Sequence, residues 1–278
     1  MGYVDLVHNV YRPSDTGFVD FLVNAQREEN KSKMFIVCFD EMNLARVEHY
    51  FSLFLSILER PESQRVLPLY DKQYTGRLYN SKEYPSSIII GDNIRFIGTV
   101  NIDESTYHFS DKVLDRANVI ELEVLNYKNE WKKKQYASIQ TIVWSKNDYD
   151  NLIDKNTDIK VDKVQALLWD MHNLLQTASA KYGVGPRIVK SIKMYLNNLP
   201  KTIIDDFDEK VGLDYQITQR VLTKVRGPEI QIGEILDCNS ENNFEKIFEK
   251  YSELSDFKKS RTVIKQKQKE LESYGYCI

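Results

Sequence analysis

Residues Met34-Phe-Ile-Val-Cys-Phe-Asp-Glu-Met-Asn43 constrain this chain more than any other stretch. The unbroken apolar run from Phe35 to Phe39 suits a strand covered on both faces, as parallel strands are. Two carboxylates, Asp40 and Glu41, follow at once, where such a strand would reach the rim of its sheet. From Leu44 onward, Val47, Phe51, Phe54, Leu55 and Leu58 recur on one helical face, and Pro61 closes that helix. A buried strand, an acidic tip and an amphipathic helix together predict an α/β fold with chemistry at the sheet edge.

An acid at a strand tip can hold Mg²⁺ through water, while its neighbour orients or deprotonates an attacking water. The same pair also suits an ordinary acidic helix start, which the helix dipole favours. Standing alone, the motif leaves both readings open. A second buried strand is predicted at Ile94-Arg-Phe-Ile-Gly-Thr-Val100, with Asn101 at its end. An amide there could position the same water or touch a phosphate, although an isolated Asn is more often a turn residue. Val119-Ile-Glu-Leu-Glu-Val124 predicts a third strand, and Arg116 lies just before it. Arginine offers phosphate oxygens a permanently charged planar fork, and on a surface it also serves as an ion-pair partner.

The rest of the chain supplies a frame. Residues 1–33 read as a hairpin or loop followed by a short helix, with turn chemistry at Pro13-Ser-Asp-Thr-Gly17 and helical spacing of Phe18, Phe21 and Leu22. Residues 62–93 hold short β-like pieces around Gly76 and Pro85. Beyond residue 125 the character shifts to a polar connection and then to helical faces. One face carries Val164, Leu167, Leu168, Met171 and Leu175, another Ile188, Ile192 and Leu196, and a third Ile217 and Val221, ending at Gly227-Pro228. The last stretch is highly charged, with a narrow stripe of Phe244, Ile247, Phe248 and Tyr251. The predicted plan is an α/β part over 1–125, a polar connection over 126–160, a helical part over 161–235 and a charged helical tail over 236–278.

Composition narrows the function classes. With 42% hydrophobic residues in 278, a substantial core is available. A net charge of −3 leaves no overall field for nucleic acid or membrane, so any polyanion contact is local, and Lys132–Lys134 reads as a solvated face. The cysteines, Cys38, Cys238 and Cys277, are scattered and read as reduced thiols, with Cys38 a small core residue. His49, His108 and His172 have no metal-ligand spacing. No apolar stretch approaches the ~20 residues that span a bilayer, and the first residues lack a basic region followed by an apolar one. The expectation is a cytoplasmic protein with no membrane partner.

Three segments carry a resemblance. Cys38-Phe-Asp-Glu-Met-Asn-Leu-Ala-Arg-Val-Glu48, Ile97-Gly-Thr-Val-Asn101 and Val113-Leu-Asp-Arg-Ala117 resemble the AAA+ superfamily. Within it they resemble the McrB-like branch, the motor subunits of methylcytosine-dependent restriction systems, over residues 1 to about 235. The resemblance implies a partial AAA+ parallel-sheet P-loop NTPase core followed by an α-helical lid. It makes Asp40 the Walker B acid that holds Mg²⁺ through water, Glu41 the catalytic glutamate and Asn101 sensor 1. Arg116 would be an arginine finger reaching a neighbouring subunit's site, worth about 10³–10⁵ in rate. Arg187, in Gly183-Val-Gly-Pro-Arg187, fits sensor 2 facing the nucleotide phosphates, with a surface salt bridge the competing reading. The implied ligands are Mg²⁺ and ATP or GTP. The implied partners are further copies in a ring, a nuclease subunit and DNA.

Two departures qualify this. The branch pattern Met-Asn-x-x-Asp-Arg reads Val100-Asn-Ile-Asp-Glu-Ser105, in which the Asn is kept, Glu104 stands in for the acid and Ser105 occupies the arginine position. That weakens the case for a GTP preference and for activation by a nuclease partner. Moreover, no G-x-x-x-x-G-K-[ST] phosphate loop occurs in the sequence. The expectation is the C-terminal portion of a longer motor, inactive alone. The alternative is a degenerate AAA+ module serving as a structural or interaction subunit without hydrolysis.

Overall fold

The turn residues around Pro13 end a hairpin in which Gly2–Asp5 (β1) pairs antiparallel with Val10–Pro13 (β2). Gly17, in the left-handed region at φ 69°, then turns the chain into the helix Phe18–Ala25, which buries Val19, Leu22 and Ala25. The computed structural model describes residues 1–101, 106–122, 145–153, 162–199 and 208–277. Within them the protein is mixed α/β, with small sheets and many helices. The chain divides into two compact units, one built on Met1–Phe109 and Ala137–Leu152, the other on Ser110–Tyr136 and Ile153–Ile278.

In the first unit, Phe35–Phe39 (β3) and Ile94–Gly98 (β6) pair in parallel, with Phe35 opposite Ile94 and Phe39 opposite Gly98. Between them, where short β-like pieces were expected over residues 62–93, Val66–Pro68 (β4) and Ser87–Ile89 (β5) pair antiparallel. One face of the β3–β6 pair is packed by aromatic rings. Phe51 and Phe54 stack at 5.1 Å, Phe39 meets Phe51 edge-on at 5.4 Å, and Phe51 meets Phe96 at 5.9 Å. Such pairs add about 0.5–1.5 kcal/mol beyond the area they bury.

The structure corrects three expectations here. The apolar run was expected to be covered on both faces, yet Ile36 (59% exposed), Cys38 and Ile97 (52% exposed) lie open on the second face. Cys38 is therefore an exposed thiol rather than a core residue. The single helix expected from Leu44 to Pro61 is instead a 3₁₀ turn, Met42–Leu44, and two short helices, Val47–Tyr50 and Ser52–Ile57, broken at Phe51. The 3₁₀ turn that precedes them is tied to the neighbouring strand end, where the Met42 N–H donates to Thr99 O, 2.8 Å away. Finally, residues 119–122 form no strand, and Ile120 and Leu122 are exposed. No strand among the described residues pairs with them, and an unpaired strand leaves its backbone groups unsatisfied. Residues 123–124 lie outside the described residues, as do Glu104, Ser105, Lys132–Lys134 and most of the expected polar connection.

The second unit is helical. Asp162–Ala178, Pro186–Asn197, Glu209–Arg220 and Glu229–Leu236 bury a continuous core that includes Leu167, Met171, Leu175, Ile192, Ile217 and Ile232. A buried side chain of this kind contributes roughly 1.5–3 kcal/mol. The stretch expected as a charged tail belongs to the same core. Its helices Phe244–Lys250 and Lys258–Tyr274 contribute Phe244, Phe248, Val263 and Leu271, and Phe257 joins them between. Tyr276–Cys277 (β8) closes on Gly227–Pro228 (β7), which leaves Cys277 buried and pushes its thiol pKa up to about 11, chiefly by desolvation. Among the described residues, no helix is long and apolar enough to cross a membrane.

Candidate functional site

The parallel pair brings two strand tips level. Because Phe39 lies opposite Gly98, Asp40 and Thr99 leave the sheet side by side. Thr99 then holds the acidic turn by four hydrogen bonds. Its N–H donates to Phe39 O at 2.9 Å, and its carbonyl accepts the Met42 N–H at 2.8 Å. Its hydroxyl accepts the Glu41 N–H at 2.8 Å and donates to Asp40 Oδ1 at 2.5 Å. Gly98 gives the turn room, since a Cβ there would come within 2.6 Å of Met42 Sδ.

These bonds maintain a strained residue. Glu41 sits in the left-handed region, at φ 50° and ψ 48°. For a residue with a Cβ that costs about 1–2 kcal/mol, and such strain gathers where the surroundings over-determine a conformation. Asp40, Glu41, Thr99 and Asn101 are all exposed, so the tip is open to a ligand. Hard oxygens from two carboxylates and a hydroxyl suit Mg²⁺, which takes one or two carboxylates and fills its shell with water and phosphate. Among the described residues, no group of three or more His, Cys, Asp or Glu side chains forms a self-sufficient metal site.

Asn101 follows on the same tip, and Asn43 lies beneath it. Asn43 is buried, 2% exposed, and its Nδ2 donates to the Asn101 carbonyl at 2.8 Å. Thus the structure brings Asp40, Glu41 and Asn101 together and adds two residues that sequence reasoning had not assigned, Thr99 and Asn43. A signal for Thr99 was present, because two-residue periodicity puts it on the same side of its strand end as Asn101. Asn43 gave no comparable signal, since a polar residue just after a strand reads as an exposed turn.

Arg116 and Arg187 belong to the second unit. Arg116 follows the short helix Asp111–Leu114, and its Nη1 donates to Lys112 O at 2.6 Å. Beside it, Asp115 forms an ion pair with Lys224, whose side chain is only 8% exposed and also donates to Gly183 O at 3.3 Å. Arg187 is exposed in the first turn of Pro186–Asn197. The loop before it is anchored by His172, whose Nδ1 accepts the Val184 N–H at 3.2 Å and whose ring stacks on Trp169. The chain passes so close there that a Cβ on Gly183 would lie 2.7 Å from His172 Nδ1.

Comparison with known families matches residues 133–276 to the model of a domain of unknown function, DUF8727, over more than half of the chain. The match takes in most of the helical unit and leaves the strand tip outside it. No curated protein and no solved structure matches the chain.

Proposed function

The chain belongs to the DUF8727 family, and from the strand tip that precedes the matched region we propose that it is part of a nucleoside triphosphatase motor of the AAA+ superfamily, in the McrB-like branch. The observation that carries this is the parallel register of β3 and β6, which sets Asp40 and Glu41 beside Thr99 and Asn101 on one open edge. In open α/β sheets, ligands bind outside the carboxyl ends of the strands. On this reading the first unit is the partial P-loop core and the helices of the second unit are its lid.

In this role Asp40, oriented by the Thr99 hydroxyl, would hold Mg²⁺ through water. The metal supplies charge neutralisation at the phosphates when bound. Glu41 accepts the proton of the attacking water, and Asn101 orients that water with its amide. Arg116 serves as the finger for a neighbouring copy's site and Arg187 as the phosphate contact from the lid. The proposed setting is a cytoplasmic ring of copies, with ATP or GTP as fuel and with a nuclease subunit and DNA as partners.

The reading requires a phosphate loop, and none occurs among the 278 residues, so the test supplies one. The chain alone is expected to bind Mg²⁺–ATP and Mg²⁺–GTP weakly. Joined behind a strand–phosphate loop–helix segment, it is expected to hydrolyse one of them. Glu41→Gln should then lower turnover about 10²–10⁴-fold, the range for a lost general base, without weakening nucleotide binding. Turnover indifferent to Glu41→Gln would overturn the proposal.

A second reading, an interaction module without hydrolysis, draws on the open sheet face. Parallel sheets are ordinarily covered on both sides, whereas Ile36 and Ile97 are exposed. A joined protein that binds nucleotide but never turns it over would favour this reading.

A further inference from the structure

The Asn43 side chain ties together backbone groups that lie apart in sequence. Its Nδ2 donates to Asn101 O at 2.8 Å and to Tyr107 O at 3.3 Å. The main-chain carbonyl of Asn43 accepts the Tyr107 N–H at 3.0 Å, and the Thr106 hydroxyl donates to Asn101 O at 2.8 Å. One buried amide thus joins the carbonyls of Asn101, at the tip, and Tyr107. The Arg46 guanidinium covers that junction, 5.5 Å from the Tyr107 ring centroid.

The other half of the amide is unsatisfied. Asn43 Oδ1 is buried and meets no donor among the described residues. A buried acceptor without a partner is costly, so this side chain is better fitted to tie the two backbone segments than to stabilise the core. The carbonyl it holds belongs to Asn101 itself, one of the tip residues. An amide that must orient a water needs its backbone fixed, because small misplacements at a reacting centre carry large losses in rate.

We propose that Asn43 is a positioning residue. It sets Asn101 against the Asp40–Glu41 turn by holding the Asn101 carbonyl together with that of Tyr107. The proposal rests on the reading of the strand tip as a metal–nucleotide site, and it adds the residue on which sensor geometry depends. The donor, not the volume, is the active part of the side chain.

The test uses the full chain and nuclear magnetic resonance, with Mn²⁺ alone as the probe of the tip. In the wild type, a through-hydrogen-bond coupling between Asn43 Nδ2 and the Asn101 carbonyl carbon is expected, a measurement that needs no variant to fold. Its absence overturns the proposal. Mn²⁺ should broaden the amide signals of Glu41, Thr99 and Asn101. In Asn43→Ala and in the near-isosteric Asn43→Asp, the Tyr107 N–H keeps its main-chain acceptor, but the Nδ2 bonds to Asn101 O and Tyr107 O are lost. The junction should therefore open more often, and Tyr107 amide exchange should accelerate about tenfold or more. Broadening should persist at Glu41 and Thr99 but diminish at Asn101, a readout that a purely space-filling residue would not move. Unchanged exchange, unchanged Asn101 broadening, or wild-type behaviour in Asn43→Asp each overturn the positioning role while leaving the metal site standing. If Mn²⁺ broadens neither Glu41 nor Thr99 in the wild type, the metal-site reading itself fails, and the proposal falls with it.

Discussion

At the residue scale, Glu41 shows how a fold can hold a side chain where its own conformational preference would not. Asn9, Glu41 and Phe257 are the non-glycine residues with left-handed φ among those described. Asn tolerates that region through its short polar side chain, whereas Glu does not. Glu41 remains there because Thr99 fastens its N–H, the Phe39 carbonyl before it and the Met42 N–H after it. Replacing it by glycine removes a strain of about 1–2 kcal/mol and adds about 0.5–1 kcal/mol of chain entropy to be lost on folding. Glu41→Gly is therefore expected to stabilise the first unit by up to about 1.5 kcal/mol, measurable as a higher urea midpoint. If the midpoint falls instead, the carboxylate contributes to the fold and the strain argument is wrong. A gain in stability on losing an acid is the pattern of a residue kept for chemistry.

At the element scale, the long helix Lys258–Tyr274 depends on a cap that its own sequence lacks. The residue at its N-cap is Phe257, which has no side-chain acceptor. Asp214, from the helix Glu209–Arg220, supplies one. Its carboxylate accepts the N–H groups of Lys259 at 2.7 Å and Ser260 at 2.9 Å, and the Ser260 hydroxyl at 2.5 Å. Asp214 is only 5% exposed, and the N-terminal dipole of the helix compensates its burial. Asp214→Ala should cost about 2–4 kcal/mol, from the loss of charge-assisted bonds and of the cap. Asp214→Asn, which keeps one acceptor, should lose less. Equal unfolding midpoints for Asp214→Ala and the wild type in urea would refute this account.

For the whole molecule, the division into two units has a thermodynamic consequence. Each unit has its own apolar core: the aromatic cluster around Phe51, Phe54 and Phe96 in one, and the helical core around Leu175, Ile217 and Phe248 in the other. Separate cores commonly unfold as separate cooperative steps. Calorimetry should resolve two transitions. Phe54→Ala should lower one, by about 3–5 kcal/mol, and Leu175→Ala the other, by about 2–5 kcal/mol. A single transition shifted by both variants would show that the units unfold as one. The strand tip and the helices of the family match would then form one cooperative body rather than two.

Local spacing made much of this legible in advance. Apolar runs marked β3 and β6, turn residues marked the hairpin, and helical periodicity marked Asp162–Ala178 and Pro186–Asn197, because each depends only on neighbours in the chain. The adjacent carboxylates at the end of β3 were equally plain. What spacing could not decide was which partner each element would meet. It read Phe35–Phe39 as covered on both faces, since an apolar run carries no record of what covers it. It read residues 119–124 as a strand, although a strand exists only where another edge pairs with it, and the described residues 119–122 have none. Residues 236–278 were read as a charged helical tail separate from the helical part over 161–235, yet Phe244, Phe248 and Phe257 complete a core begun far upstream. Thr99 clamping Glu41, Asn43 holding Asn101 and Asp214 capping Lys258–Tyr274 are likewise through-space facts. The amino-acid order by itself determined the elements and the acids at the strand tip, because those arise from local propensity and period. Only the tertiary structure decided the geometry of the tip and the extent of the core, because hydrogen bonds and packing join residues that lie far apart in the chain.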